Sequence, residues 1–187
     1  MILRHIPNVL TITRLVLITP FLVFLYQQQY TYAFYIFMFA GFTDGLDGLL
    51  AGHFNWQSTF GSFTDPLSDK LLIASSFISL ACIGKLPWRL VILVFLRDLT
   101  ISFGVLAWYY LLHRQLNFKP TFLSKINTVL QLALVTFCLF ELAFFEINAT
   151  LQHALILLTG ATTASTYIDY VWTWGRRAAF PAKTSTP

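Results

Sequence analysis

Long apolar stretches joined by short polar segments are the feature that most constrains the fold of this chain. Its 187 residues are 57% hydrophobic and only 11% charged, whereas soluble domains carry about 25% charged residues. This composition excludes an ordinary soluble globular domain. Six membrane-spanning helices of about 20 residues each need roughly 120 residues, which leaves short loops and no second domain. The sequence therefore predicts an all-α integral membrane bundle of six transmembrane helices.

The apolar stretches place these six helices along the chain. The predicted helices cover about 8–26, 31–52, 58–83, 87–112, 120–145 and 149–172. Residues 1–180 are interpreted as one membrane domain, and 181–187 as a disordered tail.

The distribution of Lys and Arg orients the predicted bundle, because cytoplasmic loops are enriched in these residues. With a cytoplasmic N-terminus, nine of the twelve basic residues fall on the cytoplasmic side. They are Arg4, Arg14, Lys70, Arg114, Lys119, Lys125, Arg176, Arg177 and Lys183. Lys85 and Arg89 fall on the opposite side, and Arg97 falls within the membrane. An even number of spans then places both termini in the cytoplasm.

The N-terminal segment bears on the cellular location. The first apolar stretch starts soon after Met1 and is not followed by an obvious small-residue cleavage site, so we interpret it as a retained helix. An organelle protein made in the cytosol normally carries a longer leader. We therefore expect a multi-pass protein of the bacterial inner (cytoplasmic) membrane.

Four of the eight acidic residues are concentrated where the second predicted helix ends and the third begins. They are Asp44, Asp47, Asp65 and Asp69. The i, i+3 and i, i+4 spacings put the members of each pair on one helix face, and antiparallel neighbouring helices would bring all four to the cytoplasmic end. Each aspartate at membrane depth costs about 2.5–3.5 kcal/mol. Hard divalent cations with oxygen ligands would neutralise this charge, and two Mg²⁺ or Mn²⁺ ions would balance it.

Small residues flank these acids: Gly41, Gly45, Gly48, Ala51, Gly52 and Gly61. One interpretation is close helix packing through small side chains. The other is approach of the backbone to a bulky ligand, which we favour for Gly48 and Gly61. Both interpretations can hold together.

The pattern D-x2-D-G-x2-A, followed by G-x3-D-x3-D, resembles the signature of the CDP-alcohol phosphotransferases. The matching residues are Asp44, Asp47, Gly48, Ala51, Gly61, Asp65 and Asp69. The chain departs from the signature at Gly52, where the family has Arg. The departure affects a structural or substrate-phosphate contact but removes no metal ligand.

The resemblance implies six transmembrane helices, a homodimer, two divalent metal ions and a cytidine nucleotide-linked lipid, with no nucleic acid as partner. It assigns the metal ions to Asp44, Asp47, Asp65 and Asp69. The first three would bind the diphosphate through the metal ions, and Asp69 would also be the general base that deprotonates the acceptor hydroxyl. The resemblance likewise implies that CDP-diacylglycerol is bound by the signature residues Asp44, Asp47, Gly48, Ala51, Gly61 and Asp65.

A second segment distinguishes branches of the family. Lys119 to Gln131 reads K-P-T-F-L-S-K-I-N-T-V-L-Q, which is similar to the eukaryotic-type, CMP-forming cardiolipin synthase branch. Phosphatidylglycerophosphate synthases tend to carry a second Lys where this chain has Asn127. One cation suits the monoanionic diester of phosphatidylglycerol, whereas the dianionic phosphate of glycerol 3-phosphate suits two. The expected acceptor is therefore phosphatidylglycerol, with glycerol 3-phosphate as the alternative.

Four residues are predicted to contact the acceptor or a lipid phosphate: Arg14, Arg97, Lys125 and Asn127. Lys125 falls in the first turn of a helix, where an anion at the helix N-terminus would offset its unfavourable position in the helix dipole. Arg14 has the alternative of extending to the membrane interface. Arg97 has the alternative of an ion pair with an internal carboxylate such as Asp98, although adjacent helix residues do not normally face each other.

Two other functions fit parts of the sequence. Carboxylates within a membrane also mark ion pathways, but a cation transporter would spread them through several helices. A lipid-binding relative without activity would explain the loss of the signature Arg at Gly52. We favour the transferase because the four aspartates are confined to one helix–loop–helix segment.

Overall fold

The computed structural model describes residues 6–54, 59–112, 122–146 and 148–179, with side-chain surroundings at 12–43, 68, 70–102, 123–146 and 148–172. These residues form six α-helices and no strands. The helices are α1 (Ile6–Tyr26), α2 (Tyr30–Phe54), α3 (Thr59–Cys82), α4 (Trp88–Leu112), α5 (Phe122–Ala143) and α6 (Ala149–Ala179). The predicted all-α fold with six helices is confirmed. The last helix extends past the expected end at Trp172, and the predicted tail at 181–187 lies outside the described residues.

Two of the described connections, the one after α1 and the one after α3, are short turns with a left-handed residue. Gly84 has a φ of 83°, and the amides of Lys85 and Gly84 bond to the carbonyls of Leu80 and Ala81 at 2.9 and 3.0 Å. This is the Schellman pattern that ends α3 and reverses the chain into α4. Gln28, with a φ of 60°, has the same position after α1. Because both turns are short, the helices that each turn joins run antiparallel.

The six helices pack in a ring in the order α1, α2, α5, α6, α4 and α3. A further contact between α3 and α5 crosses the middle of the ring. The short loop between α2 and α3 predicted that these two helices are direct neighbours. In the described part of the chain, the main packing of both helices is against α1 and α5 instead.

Apolar side chains cover the outside of this ring as well as its core. Buried residues such as Phe21, Phe37 and Leu134 form the core. Large apolar side chains are nevertheless exposed on all six helices, including Val129 at 65% and Leu157 at 72%. Soluble monomers rarely expose contiguous apolar surface on this scale. The outer surface is therefore suited to contact lipid rather than water.

Polar side chains occur inside the ring. Among the described residues, the buried set includes Arg14, Ser68, Ser76, Arg97, Asn127, Gln131, Thr159, Thr163 and Thr166. Polar residues inside and apolar residues outside are the arrangement that a bilayer favours, because lipid offers no hydrogen bonds to a polar group.

Helix length and composition give narrower support for membrane insertion. In the described residues, Leu123–Ala143 is the one stretch both long and apolar enough to cross a bilayer, with a mean hydropathy of 1.8. Ile12–Tyr26 and Lys70–Cys82 are shorter apolar stretches. One such helix also occurs in the cores of soluble proteins, so the exposed apolar surface is the stronger argument.

Candidate functional site at one end of the helix bundle

Polar contacts fix which helix ends lie together. The Thr31 hydroxyl, at the start of α2, donates to the carbonyl of Ala143 at the end of α5, at 3.3 Å. Lys85, in the turn after α3, forms an ion pair of 3.0 Å with Glu141, also near the end of α5. The opposite end of the bundle therefore collects the end of α2 and the beginnings of α3 and α5. We call this opposite end the carboxylate end.

The helix backbone places the four signature aspartates toward the carboxylate end. Asp44 and Asp47 lie one turn apart on α2, and Asp65 and Asp69 lie one turn apart on α3. Gly48 and Ala51 also lie on α2, and Gly61 lies on α3. The side-chain surroundings of these seven residues are outside the described part of the structure, and so is the N-terminal Arg4. No group of three or more potential metal ligands occurs among the side chains that are described.

The donor chemistry of the aspartates suits a divalent metal even so. Carboxylate oxygens are the ligands that Mg²⁺ and Mn²⁺ prefer. The aspartates form two pairs, one on α2 and one on α3, and the members of each pair are one helical turn apart. Each pair therefore supplies a local set of carboxylate oxygens. The residues present therefore fit the metal ions that the resemblance implies.

Arg14 is buried on α1, with an exposed fraction of 1%. Its helix packs against both α2 and α3, the two helices that carry the aspartates. A guanidinium keeps its charge at any relevant pH. Arg14 thus places a permanent positive charge in the interior next to the acidic helices.

Arg97 is also buried and links α4 to α5. Its Nη1 donates to Asp98 at 2.5 Å, and its Nη2 donates to the Ser124 hydroxyl at 2.6 Å. The expectation that adjacent helix residues do not face each other is wrong here, because the long guanidinium bends back to its neighbour. The Asp98 carboxylate offsets the Arg97 charge, while Ser124 fixes the first turn of α5 next to the exposed Lys125.

A side-chain hydrogen bond that no sequence pattern predicted joins α3 to α4. The ammonium of Lys70, the residue after Asp69, donates to the Ser102 hydroxyl at 2.6 Å. Ser102 in turn donates to the backbone carbonyl of Asp98 at 2.8 Å. The sequence carried no signal for this pairing because the residues are 32 positions apart.

Asn127 is fully buried between α5 and α6. Its Oδ1 accepts from the hydroxyls of Thr162 at 3.0 Å and Thr163 at 2.8 Å. The Thr163 hydroxyl also lies 2.7 Å from the carbonyl of Thr159, so one proton is shared between two acceptors. Asn127 was predicted to contact the acceptor. In this structure its described contacts join two helices.

Four buried donors on α4, α5 and α6 have no hydrogen-bond partner among the described atoms. They are Nε of Arg97, Nδ2 of Asn127, Nε2 of Gln131 and Oγ1 of Thr159. Buried polar groups are normally paired, with protein or with ordered water. Asn127 and Gln131 are one turn apart on α5. The interior next to this part of α5, which follows Lys125 in the chain, therefore has more hydrogen-bond donors than acceptors.

Comparisons with known proteins identify the family of the chain. The family model for CDP-alcohol phosphatidyltransferase matches residues 4–167. The chain is 38% identical over 182 residues to a probable CMP-forming cardiolipin synthase of Drosophila melanogaster, covering 89% of this chain and 56% of the relative. It is 32% identical over 190 residues to the human CMP-forming cardiolipin synthase, covering 92% of this chain and 62% of the relative.

A bacterial relative is named as a different enzyme, a phosphatidylglycerophosphate synthase. The chain is 32% identical over 178 residues to a probable phosphatidylglycerophosphate synthase of Mycobacterium tuberculosis, covering 90% of this chain and 81% of the relative.

The chain belongs to the CDP-alcohol phosphatidyltransferase family. This confirms the family that the aspartate signature predicted. The chain spans only 56% and 62% of the fly and human relatives' lengths.

The contact between Asn127 and Thr163 generates a stability prediction. Thr163→Val keeps the shape of the side chain but removes one of the two donors to the buried Oδ1. We expect a loss of about 1 kcal/mol in unfolding free energy, measured as a lower thermal midpoint of the detergent-solubilised protein. Thr163→Ser keeps the hydroxyl and is the matched control. A Thr163→Val protein as stable as the wild type would show that the contact contributes nothing.

Proposed function

We propose that the protein transfers a phosphatidyl group from CDP-diacylglycerol to phosphatidylglycerol, giving cardiolipin and CMP. The observation that carries this proposal is the D-x2-D-G-x2-A and G-x3-D-x3-D signature on α2 and α3. Family membership supports the donor and the leaving group. The segment 119–131 and the names of the fly and human relatives support the acceptor.

We propose that some of the aspartates bind the donor and that one acts on the acceptor. Asp44, Asp47 and Asp65 hold two Mg²⁺ or Mn²⁺ ions, and together with Gly48, Ala51 and Gly61 they bind the CDP-diacylglycerol headgroup. When bound, the metal ions would offset the negative charge of the diphosphate and the charge that develops on the phosphate of CMP as it leaves. Asp69 lies beside the metal ligands and accepts the proton of the acceptor hydroxyl as that oxygen attacks phosphorus and the bond to CMP breaks.

Arg14, Arg97, Lys125 and Asn127 are proposed to serve the acceptor or a lipid phosphate in different ways. Lys125 is exposed at the first turn of α5 and is the best placed of the four to contact a phosphodiester directly. Arg97 is offset by Asp98 and fixes Ser124, which supports a role in positioning that turn. Asn127 has its Nδ2 available for a ligand oxygen.

The proposed setting is a multi-pass membrane protein with six spans, both termini and the carboxylate end in the cytoplasm, and a homodimeric assembly. The exposed apolar surface of all six helices and the Lys and Arg distribution support the topology. A bacterial inner membrane remains our proposal for its location, and the matches include both bacterial and eukaryotic relatives.

Phosphatidylglycerophosphate synthase is the competing function, with the same donor and glycerol 3-phosphate as acceptor. The similarity to the mycobacterial relative favours it. Asn127 argues against it, because a buried amide replaces a cation that a dianionic phosphate would need.

The choice of acceptor tests the proposed function. Purified protein with CDP-diacylglycerol and Mg²⁺ should release CMP when phosphatidylglycerol is added, and not when glycerol 3-phosphate is added. CMP is measured by chromatography in parallel reactions, with a no-acceptor reaction as control. Faster release with glycerol 3-phosphate would replace our proposal with the competing one.

The division of labour among the aspartates is tested by substitution. Asp69→Asn should reduce turnover by at least about 100-fold because it removes the base, while Mn²⁺ binding, followed by electron paramagnetic resonance, should largely persist. Asp44→Asn should weaken Mn²⁺ binding as well as turnover, and excess chelator should stop CMP release by the wild type.

Asp169→Asn is the matched control, because Asp169 is exposed on α6 and lies outside the signature. Near-normal turnover in Asp69→Asn would remove the base role. Full activity in excess chelator would remove the metal ions from the account.

A further inference from the structure

Three buried polar groups lie where α5 packs against α6, and none of them has a hydrogen-bond partner among the described atoms. They are Nδ2 of Asn127, Nε2 of Gln131 and Oγ1 of Thr159. The three residues are at most 1% exposed, so bulk water does not reach these groups. Buried groups without a protein partner are rare, and they commonly mark a place where a ligand or an ordered water supplies the partner.

The register of the two helices places Gln131 level with Thr159. Asn127 on α5 accepts a hydrogen bond from Thr163 on α6 at 2.8 Å. The helices run antiparallel, because only a short connection joins the end of α5 to the start of α6. One turn further from the carboxylate end, Gln131 on α5 therefore lies at the level of Thr159 on α6.

The hydroxyl of Thr159 differs from the hydroxyls of four neighbouring residues on α6. Each of those four donates to a backbone carbonyl about one turn earlier in the helix, from Thr162, Thr163, Ser165 and Thr166. The Thr159 hydroxyl makes no such bond, so its oxygen and its proton are both available. A ligand hydroxyl would suit this pair, because its oxygen would accept from Nε2 of Gln131 and its proton would go to Oγ1 of Thr159.

The charge of these groups favours a neutral ligand oxygen over a phosphate. Two amides and a hydroxyl carry no net charge, and the charge of Arg97 on α4 is offset by Asp98. An anion at Gln131 would be buried without a cation, which is costly in an apolar interior. A hydroxyl group has no such requirement.

Gln131 lies at about the depth of the proposed base. The ion pair of Lys85 with Glu141 aligns the turn after α3 with the end of α5, and Leu80 is level with that turn because its carbonyl accepts from the Lys85 amide. From this level, Asp69 lies about 17 Å along α3 and Gln131 about 15 Å along α5, at 1.5 Å per residue. Since α3 and α5 pack against each other across the middle of the ring, a hydroxyl bound at Gln131 would lie beside the one that the base deprotonates.

We propose that Gln131, together with Thr159, binds the central hydroxyl of the acceptor's glycerol headgroup and thereby positions the terminal hydroxyl for attack on phosphorus. The proposal rests on the proposed function, because it places that function's acceptor. An ordered water would offer the same pairing as a ligand hydroxyl, and the experiment separates these two sources.

An acceptor that lacks the central hydroxyl tests this contact. Phosphatidyl-1,3-propanediol keeps the phosphodiester and the terminal hydroxyl. The wild type should use it with a kcat/KM about tenfold below that for phosphatidylglycerol, because the hydrogen bond to the buried amide is lost. Gln131→Met should lose about tenfold with phosphatidylglycerol but stay within about twofold of the wild type with the analogue, so that the preference disappears.

Gln152→Met is the matched control, because it removes another glutamine amide from the same helix pair. The Gln152 amide donates to the Lys85 carbonyl at 3.3 Å, near the end opposite the aspartates. This control should keep the tenfold preference and have a lower thermal midpoint. Ligand-free Gln131→Met should have a thermal midpoint at or above that of the wild type, because its amide has no partner to lose. The KM for CDP-diacylglycerol should stay within about twofold in both variants.

Two results would overturn the proposal: a wild type that uses both acceptors equally, or a preference that survives in Gln131→Met. A surviving preference with a lowered thermal midpoint would assign the amide to an ordered water. If Gln131→Met does not fold, Thr159→Val decides, with a preference reduced at least about threefold expected and an unchanged preference contradicting the proposal.

Failure of the proposed function is visible separately. It would appear as wild-type CMP release with glycerol 3-phosphate and none with phosphatidylglycerol. The Gln131 contact would then be tested by comparing glycerol 3-phosphate with 3-hydroxypropyl phosphate, which lacks the same central hydroxyl.

Discussion

The structure depends on satisfying polar side chains inside a bundle whose outer surface is apolar. An unpaired polar group in such an interior costs about 1–3 kcal/mol, and more if it is charged, so each one constrains the helices around it. Arg97 draws Asp98 and Ser124 together, and Asn127 draws in Thr162 and Thr163. These contacts join α4 to α5 and α5 to α6 at specific positions. Dispersion forces between apolar helices alone would let the helices slide along one another.

The same constraint bears on the site that we propose at one end of this bundle. At the opposite end, the ion pair of Lys85 and Glu141 joins the turn after α3 to the end of α5. Two positively charged side chains, Arg14 inside the bundle and Lys125 at the start of α5, lie on helices next to those that carry the four aspartates. An anionic substrate together with divalent cations would balance this mixture of charges, as the proposed CDP-linked lipid donor and anionic acceptor lipid would.

The sequence was sufficient for the parts of the fold that follow from local patterns. Apolar stretches predicted six helices and their approximate ends. The fixed spacing of seven signature residues identified the family. Contacts between distant positions could not be predicted in this way, because no local pattern links Lys70 to Ser102 or Asn127 to Thr163. The mutual arrangement of α2 and α3 was also missed, since a short loop indicates antiparallel direction but does not decide which helix packs between them.

The central claim is that one phosphatidyl group moves from the nucleotide-linked donor to a lipid acceptor. The most direct measurement gives purified protein CDP-diacylglycerol with deuterated acyl chains, together with equal concentrations of unlabelled phosphatidylglycerol and glycerol 3-phosphate, and identifies the products by mass spectrometry. Our account predicts cardiolipin with the label in one of its two phosphatidyl units, and one CMP for each cardiolipin formed. Labelled phosphatidylglycerophosphate as the main product, or cardiolipin without label, would contradict it.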